Sequence, residues 1–325
     1  GSWGTAQALL LAKKTRHIAL WGRVEDGIDI MCSERENKRF LPGVRLPDNV
    51  VPTCDLVAAV ENTELIVLAV PTQAVRAVLI QLTPYMKPGT IIINTAKGLE
   101  IETAMRLSQV VVDVLGAQIR ERYAVLSGPS HAEEVARGIP TVVTVASYSR
   151  ETAIFVQDAF MSSVFRVYTN PDVAGVELGG ALKNIIALAT GMCDGLGFGD
   201  NTRAALMTRG LTEITRMGVA LGGDYRTFSG LSGMGDLVVT CGSKYSRNRR
   251  AGELLGLGYN LQQAMEEIGM AVEGVHTVRV VNQIADQVGV DMPISKACYN
   301  ILYENKSALE TVETLMKRRK KHELE

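Results

Sequence analysis

The chain has 325 residues, of which 46% are hydrophobic and 21% charged, and its formal net charge is −1. This length predicts two globular domains, and the near-zero charge argues against nucleic acid or an anionic membrane as a partner. Five scattered cysteines and four histidines, without the spacing of metal ligands, favour free thiols in a reducing cytoplasm and no metal site.

A glycine pair opens the chain. Gly1 and Gly4 precede a helical run over Ala8–Lys13, and they have the spacing of the second and third glycines in the dinucleotide fingerprint G-x-G-x-x-G. There the backbone approaches a pyrophosphate and the helix packs closely on the sheet. The first strand and first glycine would lie before residue 1, so we expect the natural protein to be longer. An ordinary glycine turn is the alternative.

A strand predicted at His17–Trp21 ends about 20 residues after this turn. An acidic residue at that position binds the ribose 2′-hydroxyl of NAD, whereas an arginine accommodates the 2′-phosphate of NADP. Arg23 favours NADP, and Glu25 and Asp26 leave NAD open. Either cofactor is therefore predicted.

Further apolar, β-branched runs predict strands of a parallel sheet covered on both faces. Helical patterns such as Thr103–Leu115 lie between several of them. This rhythm indicates a doubly wound, Rossmann-like α/β domain over residues 1–172. The strands are expected at Leu65–Val70, Thr90–Thr95, Ala124–Ser127 and Thr141–Ala146.

Ligands of such sheets bind beyond the carboxyl ends of the strands. Pro71 follows one strand, in a turn that either lies against a nicotinamide ribose or is a plain connection. Lys97 follows the next and faces either a bound anion or solvent. Ser130 and Glu133 form the S-x-x-E pattern of a capping box, whose helix N-terminus could also meet a phosphate.

Beyond Asn170 the pattern becomes helical, which predicts an all-helical second domain over residues 173–325. The helices are expected at Val173–Cys193, Thr202–Leu221, Leu261–Ile268, Thr277–Val288 and from Pro293 onward.

Lys183 stands out in the first of these helices. Its neighbours three and four residues away are glycines, an isoleucine and an alanine, so its amino group is expected to be unpaired within a small, apolar stripe. Loss of hydration lowers the pKa of a lysine and suits it to proton transfer. Asn184 follows and could donate its amide to a ligand.

The segment Gly230–Arg250 carries Asp236 among glycines and then four cations interleaved with serine and asparagine. Arginine forks with neutral donors suit a phosphate group. Nucleic-acid binding and a solvated basic turn are the alternatives. The first has little aromatic support, and the second does not account for Asp236.

Taken together, the chain resembles the NAD(P)-dependent glycerol-3-phosphate dehydrogenase family. The matching runs occur in the family's order along essentially the whole chain. They are GSWGTA, WGR, LAVPTQ, NTAKGLE, LSGPSHAEEV, GGALKNIIALATG, GLSGMGDLVVTC, SRNRRAG and VEGVHT.

The resemblance implies an oxidoreductase that moves a hydride reversibly between NAD(P)H and dihydroxyacetone phosphate, giving sn-glycerol 3-phosphate for glycerophospholipid synthesis, and a homodimer. It implies that Lys183 is the proton donor and acceptor, with Lys97, Asn184 and Asp236 assisting. Implied substrate contacts are Lys97, Gly128, Ser130, Lys183, Asp236, Ser246, Arg247 and Asn248. Implied cofactor contacts are Ser2, Trp3, Arg23, Lys97, Ala132, Arg247, Ala271 and Glu273, and the glycine spacing and the strand-end argument add Gly4 and Pro71.

Two rival functions remain at this point. A two-domain dehydrogenase of hydroxy acids would share the fold, but it has no need of the phosphate-gripping run at Ser246–Asn248. A cofactor-binding sensor without turnover would lack a protonating side chain, and Lys183 argues against it.

Overall fold

A computed structural model describes residues 1–320, 322 and 323. The strands are β1 (Ile18–Trp21), β2 (Val50–Thr53), β3 (Leu65–Leu68), β4 (Ile91–Asn94), β5 (Tyr123–Ser127), β6 (Thr141–Ser147) and β7 (Phe165–Asn170). The first helices are α1 (Ser2–Leu11), α2 (Ile28–Glu34), α3 (Leu56–Val60), α4 (Val75–Leu82), α5 (Leu107–Leu115), α6 (Ala132–Ala136) and α7 (Arg150–Phe160). The later helices are α8 (Val173–Gly195), α9 (Asp200–Ala220), α10 (Tyr225–Phe228), α11 (Asp236–Gly242), α12 (Arg247–Gly256), α13 (Leu261–Ile268), α14 (Glu273–Val288), α15 (Pro293–Tyr303) and α16 (Ala308–Met316).

The strands form two sheets. β1 and β2 pair in parallel, and a second sheet has the order β3-β4-β5-β6-β7. Its neighbours are parallel except β5 and β6, which are antiparallel. Apolar side chains bury both faces of this sheet, as continuous apolar strands require. The carboxyl ends of β3, β4 and β5 meet at one edge, where the site lies.

The predicted fold class is confirmed: an α/β first half is followed by helices alone among the described residues beyond Asn170. Two strands were missed. β2 contains Pro52, which argues against a central strand but is tolerated where no ladder hydrogen bond is lost. β7 alternates buried and exposed side chains instead of presenting a continuous apolar run.

Some predicted helix limits were wrong. α1 already begins at Ser2, so Gly4 lies inside a helix. α5 begins at Leu107 because the preceding residues form a turn in which Ala104 has a positive φ of 59°. The division at residues 172 and 173 stays a prediction, as does a strand before residue 1. Lys321, Leu324 and Glu325 lie outside the described residues.

α8 is the central helix of the second half. In length and composition it could cross a bilayer, yet 94% of its most apolar window is buried inside the protein. Glycines bring α12 against it: a Cβ on Gly191 would lie 1.9 Å from the Arg249 carbonyl oxygen, and one on Gly252 would lie 2.0 Å from that of Leu188. This close contact fixes α12 and its N-terminus relative to α8.

Candidate active site

The ammonium group of Lys183 is buried between two side chains of α11. Lys183 is 6% exposed. Its Nζ donates to Asp236 Oδ1 at 2.8 Å and to Thr240 Oγ1 at 2.6 Å. The prediction of an unpaired amino group was wrong, because the partner lies 53 residues further along the chain and periodicity within one helix cannot reveal it.

Asp236 is shared by a second lysine. Lys97, just beyond the carboxyl end of β4, donates from Nζ to Asp236 Oδ2 at 2.6 Å and to the Gly128 carbonyl at 3.1 Å. Asp236 itself is 1% exposed. We call Lys97, Lys183 and Asp236 the lysine cluster. With both lysines protonated it carries one more positive than negative charge.

Burial and the neighbouring charges act in opposite directions on the proton affinities here. Burial lowers the pKa of Lys183 to about 8, although the Asp236 carboxylate opposes that shift. Burial alone would raise the pKa of Asp236, but the two ammonium groups outweigh it and hold that pKa below its usual value. Asp236 is therefore ionised at neutral pH, and Lys183 can release its proton near that pH.

The glycines before Asp236 allow this carboxylate to reach α8. Leu231–Gly235 forms a single π-helical turn, closed by a bond from Gly235 N to Gly230 O at 3.1 Å. Gly179 of α8 lies against it, since a Cβ there would be 2.7 Å from the Ser232 carbonyl oxygen. A larger residue would push α11, and Asp236 with it, away from Lys183.

Two asparagines link the cluster to the helices of the second half. Asn184 Nδ2 donates to the Lys97 carbonyl at 3.1 Å, and Asn248 Nδ2 donates to Asn184 Oδ1 at 3.0 Å. Asn248 Oδ1 accepts from Gly274 N at 2.8 Å. Both amides, predicted to act on a ligand, are thus already bonded to protein groups and fix the main chain around Lys97.

Buried polar atoms without a partner occur on α1, in the turn after β3 and at the start of α14. Thr72 Oγ1, Trp3 Nε1 and Glu273 Oε2 are buried without a partner, while Glu273 Oε1 accepts from Thr72 N at 3.0 Å. Gly98 keeps the space open, since a Cβ there would lie 2.5 Å from Thr72 Oγ1. Unpaired buried groups are costly, and the hydroxyls and amide of a nicotinamide nucleotide could supply the partners of these three. The residues present fit such a cofactor.

Comparison with known proteins identifies the family. The models of the NAD-dependent glycerol-3-phosphate dehydrogenase N-terminus and C-terminus match residues 1–153 and 172–313. The chain belongs to this family. Proteins named glycerol-3-phosphate dehydrogenase [NAD(P)+] from Syntrophomonas wolfei and Moorella thermoacetica are 63% and 57% identical to it, over all of this chain and 95% and 96% of theirs. A glycerol-3-phosphate dehydrogenase structure from Coxiella burnetii matches with a TM-score of 0.93 and 40% identity, covering 98% of this chain and 97% of that one.

Membership of the glycerol-3-phosphate dehydrogenase family confirms the predicted resemblance and the predicted class, an NAD(P)-dependent oxidoreductase. It leaves the residue roles as predictions.

The structure places the remaining candidates as follows. Ser2 and Ala132 are the first residues of α1 and α6. Pro71 precedes the turn Thr72–Ala74, and Ala271 lies shortly before α14. Gly4 packs closely against Ala69, since a Cβ added at Gly4 would lie 3.2 Å from Ala69 Cβ.

The predicted phosphate-binding residues lie at the start of α12. Ser246 is its N-cap and accepts from Arg249 N at 3.2 Å. The Arg247 side chain forms no hydrogen bond or ion pair within the described part of the chain. Burial lowers its pKa, and the carboxylates of Glu273 and Glu133 oppose that shift. Arg247 is thus a half-buried cation without a bonded partner, which suits an anionic ligand.

The capping box predicted at Ser130 and Glu133 was wrong. The N-cap of α6 is His131, and no side chain caps the helix. Gly128 has a φ of 142°, and a Cβ there would lie 3.0 Å from Val143 Cα. The chain turns at this glycine, so the Ser130 hydroxyl points back and donates to the Gly128 carbonyl at 2.9 Å. Ser130 therefore lies beside the carbonyl that Lys97 also binds.

Arg23 lies in a different group, paired with Asp26 and not with the lysine cluster.

Two residues near the lysine cluster were not predicted from the sequence. Thr240 bonds Lys183, and its position four residues after Asp236 on one helix face was an available signal. His131 lies with its ring 5.9 Å from that of Tyr245, and the nearby Lys183 charge lowers its pKa further than burial alone.

Proposed function

We propose that the chain interconverts dihydroxyacetone phosphate and sn-glycerol 3-phosphate with NAD(P)H or NAD(P)⁺, for glycerophospholipid synthesis. The observation that carries this proposal is the lysine cluster. It sets a buried lysine with a pKa of about 8 at the carboxyl ends of the strands, with one positive charge in excess. The family and its relatives named for this reaction support the same conclusion.

Bound NAD(P)H supplies the hydride that reduces C2 of the substrate. Lys183 gives a proton to the oxygen on C2 in this direction and takes it back in the other. Lys97 stabilises the negative charge that develops on that oxygen. Asp236 holds both ammonium groups in place, and Asn184 fixes the main chain of Lys97.

The substrate phosphate is proposed to bind at the start of α12. Arg247 supplies a fork of N–H donors, and the N-terminal N–H groups of the helix favour an anion. Ser246 keeps its own hydroxyl proton available, while Asn248 holds this segment against Asn184. Gly128 and Ser130, next to Lys97, are the remaining proposed substrate contacts. Binding of the phosphate then positions C2 near Lys183.

The cofactor is proposed to lie along the strand ends from α1 to α14. The unsatisfied atoms of Trp3, Thr72 and Glu273 support this path. The full proposed set is Ser2, Trp3, Gly4, Arg23, Pro71, Lys97, Ala132, Arg247, Ala271 and Glu273.

The decisive test replaces the proton donor. Lys183→Ala should reduce turnover of dihydroxyacetone phosphate by about 10²–10⁴-fold, the usual share of general acid–base catalysis, while NADPH and NADH still bind. Turnover is followed by cofactor absorbance, and binding by calorimetry. Near-normal turnover in this variant would refute the role of Lys183. A wild type that prefers 2-oxo acids over dihydroxyacetone phosphate would favour the rival hydroxy-acid dehydrogenase.

We also propose a homodimer located in the cytoplasm. The five cysteines are all free, which suits a reducing compartment. Exposed apolar side chains such as Phe155 and Tyr168 offer surface for a second copy. Light scattering of the purified protein measures the mass directly, and a monomer at micromolar concentration would contradict the dimer.

A further inference from the structure

The carboxyl end of β1 carries two arginines around one carboxylate. Arg23 binds Asp26 through two contacts, Nε to Oδ2 at 2.8 Å and Nη2 to Oδ1 at 3.2 Å. Arg39 reaches the same turn from the loop after α2, where its Nη1 donates to the Glu25 carbonyl at 2.5 Å. We call Arg23, Asp26 and Arg39 the turn cluster.

The two arginines differ in their bonding partners. The guanidinium of Arg23 already binds both carboxylate oxygens of Asp26. Arg39 forms no ion pair with any described residue; its guanidinium carbon lies 4.9 Å from the centre of the Phe40 ring, and one N–H holds the Glu25 carbonyl. Most of its N–H donors therefore remain available, and its charge acts on Asp26, whose pKa is lowered first by Arg23 and also by Arg39.

This position is where a doubly wound fold distinguishes the two nicotinamide cofactors. A carboxylate accepts from the ribose 2′-hydroxyl of NAD, and an arginine binds the 2′-phosphate of NADP. The turn cluster holds both kinds of group. Asp26 competes with a phosphate for Arg23, whereas Arg39 has no carboxylate that a phosphate would have to displace.

We propose that Arg39 and Asp26 set the cofactor preference in opposite directions. Arg39 is the residue that makes the 2′-phosphate favourable, and Asp26 retains Arg23 and keeps NAD acceptable. This inference rests on the proposed use of NAD or NADP, and it adds a specificity role for two residues outside the proposed catalytic and binding set.

The test measures binding of cofactor fragments, which needs no turnover. Calorimetry compares adenosine 2′,5′-bisphosphate with adenosine 5′-monophosphate. Arg39→Gln should weaken the bisphosphate by about tenfold to a hundredfold, as expected for a lost charge-assisted hydrogen bond, and leave the monophosphate within about twofold. Asp26→Asn should strengthen the bisphosphate severalfold. The ratio of kcat/KM for NADPH to that for NADH should move in the same directions.

Lys38→Gln is the matched control. It removes one positive charge from the adjacent position, where Lys38 pairs with Glu34, and should leave both fragments unchanged. Equal weakening of both fragments by Arg39→Gln would show that Arg39 only braces the turn, and would overturn the inference. So would a wild type that binds the bisphosphate no more tightly than the monophosphate. Failure of the proposed reaction is seen separately, as absence of dihydroxyacetone phosphate reduction by the wild type.

Discussion

Two buried carboxylates at α8 are satisfied differently. Glu177 belongs to the helix itself, whereas Asp236 of α11 binds Lys183, six residues further along α8. Glu177 accepts four hydrogen bonds, from Arg106 Nη1 at 2.8 Å, Ser108 N at 2.7 Å, Ser108 Oγ at 2.6 Å and Tyr123 Oη at 2.5 Å. Asp236 meets two ammonium groups, those of Lys97 and Lys183. The first group balances one cation with one anion, and the second does not.

The difference separates a structural from a functional arrangement of buried charge. A buried ion pair is tolerated when charges cancel and every lone pair is bonded, as at Glu177. In the lysine cluster burial lowers the pKa of Lys183, the Lys97 ammonium adds to that shift, and the positive charge in excess attracts an anion. The lysine cluster therefore holds one positive charge in excess at the sheet edge formed by the carboxyl ends of the strands, and an anionic ligand would balance it.

The largest expected effect is on the free energy of unfolding, at the ion pair of Glu177 and Arg106. Glu177→Gln leaves Arg106 buried without its carboxylate, so we expect the free energy of unfolding to fall by about 3–5 kcal/mol, with kcat of the folded protein unchanged. Urea denaturation and turnover per active site measure the two effects. Glu313→Gln, in an exposed pair with Lys317, should leave the free energy of unfolding unchanged within error. A large loss of kcat in Glu177→Gln would mean that the two groups are coupled through α8.

The next largest effect is on turnover, at the lysine cluster. Asp236→Asn leaves two lysines facing each other and removes the hold on Lys183, so kcat should fall by about 10²–10³-fold, comparable to losing one preorganised electrostatic contact. Asp194→Asn is the matched control. It lies on α8, the helix of Lys183, its side chain is 8% exposed, and it pairs with Arg203 and Arg249 away from the cluster. It should destabilise the protein without this loss of kcat. If both variants lose only stability, Asp236 has no part in the reaction.

The same contrast shows what sequence could and could not predict. Strands β3 to β6 were found because their apolar, β-branched runs are continuous, and Lys183 was found because a lysine among small residues is unusual in one helix. The carboxylate that holds Lys183 could be named as a candidate but not placed, because its contact depends on a π-helical turn and on Gly179. The local motif at Ser130 was misleading for a similar reason: Gly128 directs that hydroxyl to a carbonyl and not to a helix N-terminus.

The smallest effect, and the most specific, is the pH dependence of the lysine cluster. Reduction needs the Lys183 ammonium, so its kcat/KM should fall as pH rises through about 8, by about tenfold for each further pH unit. Oxidation needs the neutral amine and should rise with pH up to the same value and then level off. An ordinary lysine with a pKa of 10.5 would place both bends far higher. Since the Asp236 carboxylate raises the pKa of Lys183, the residual activity of Asp236→Asn should bend at lower pH than the wild type. A bend that stays in place in this variant would show that the titrating group is not Lys183.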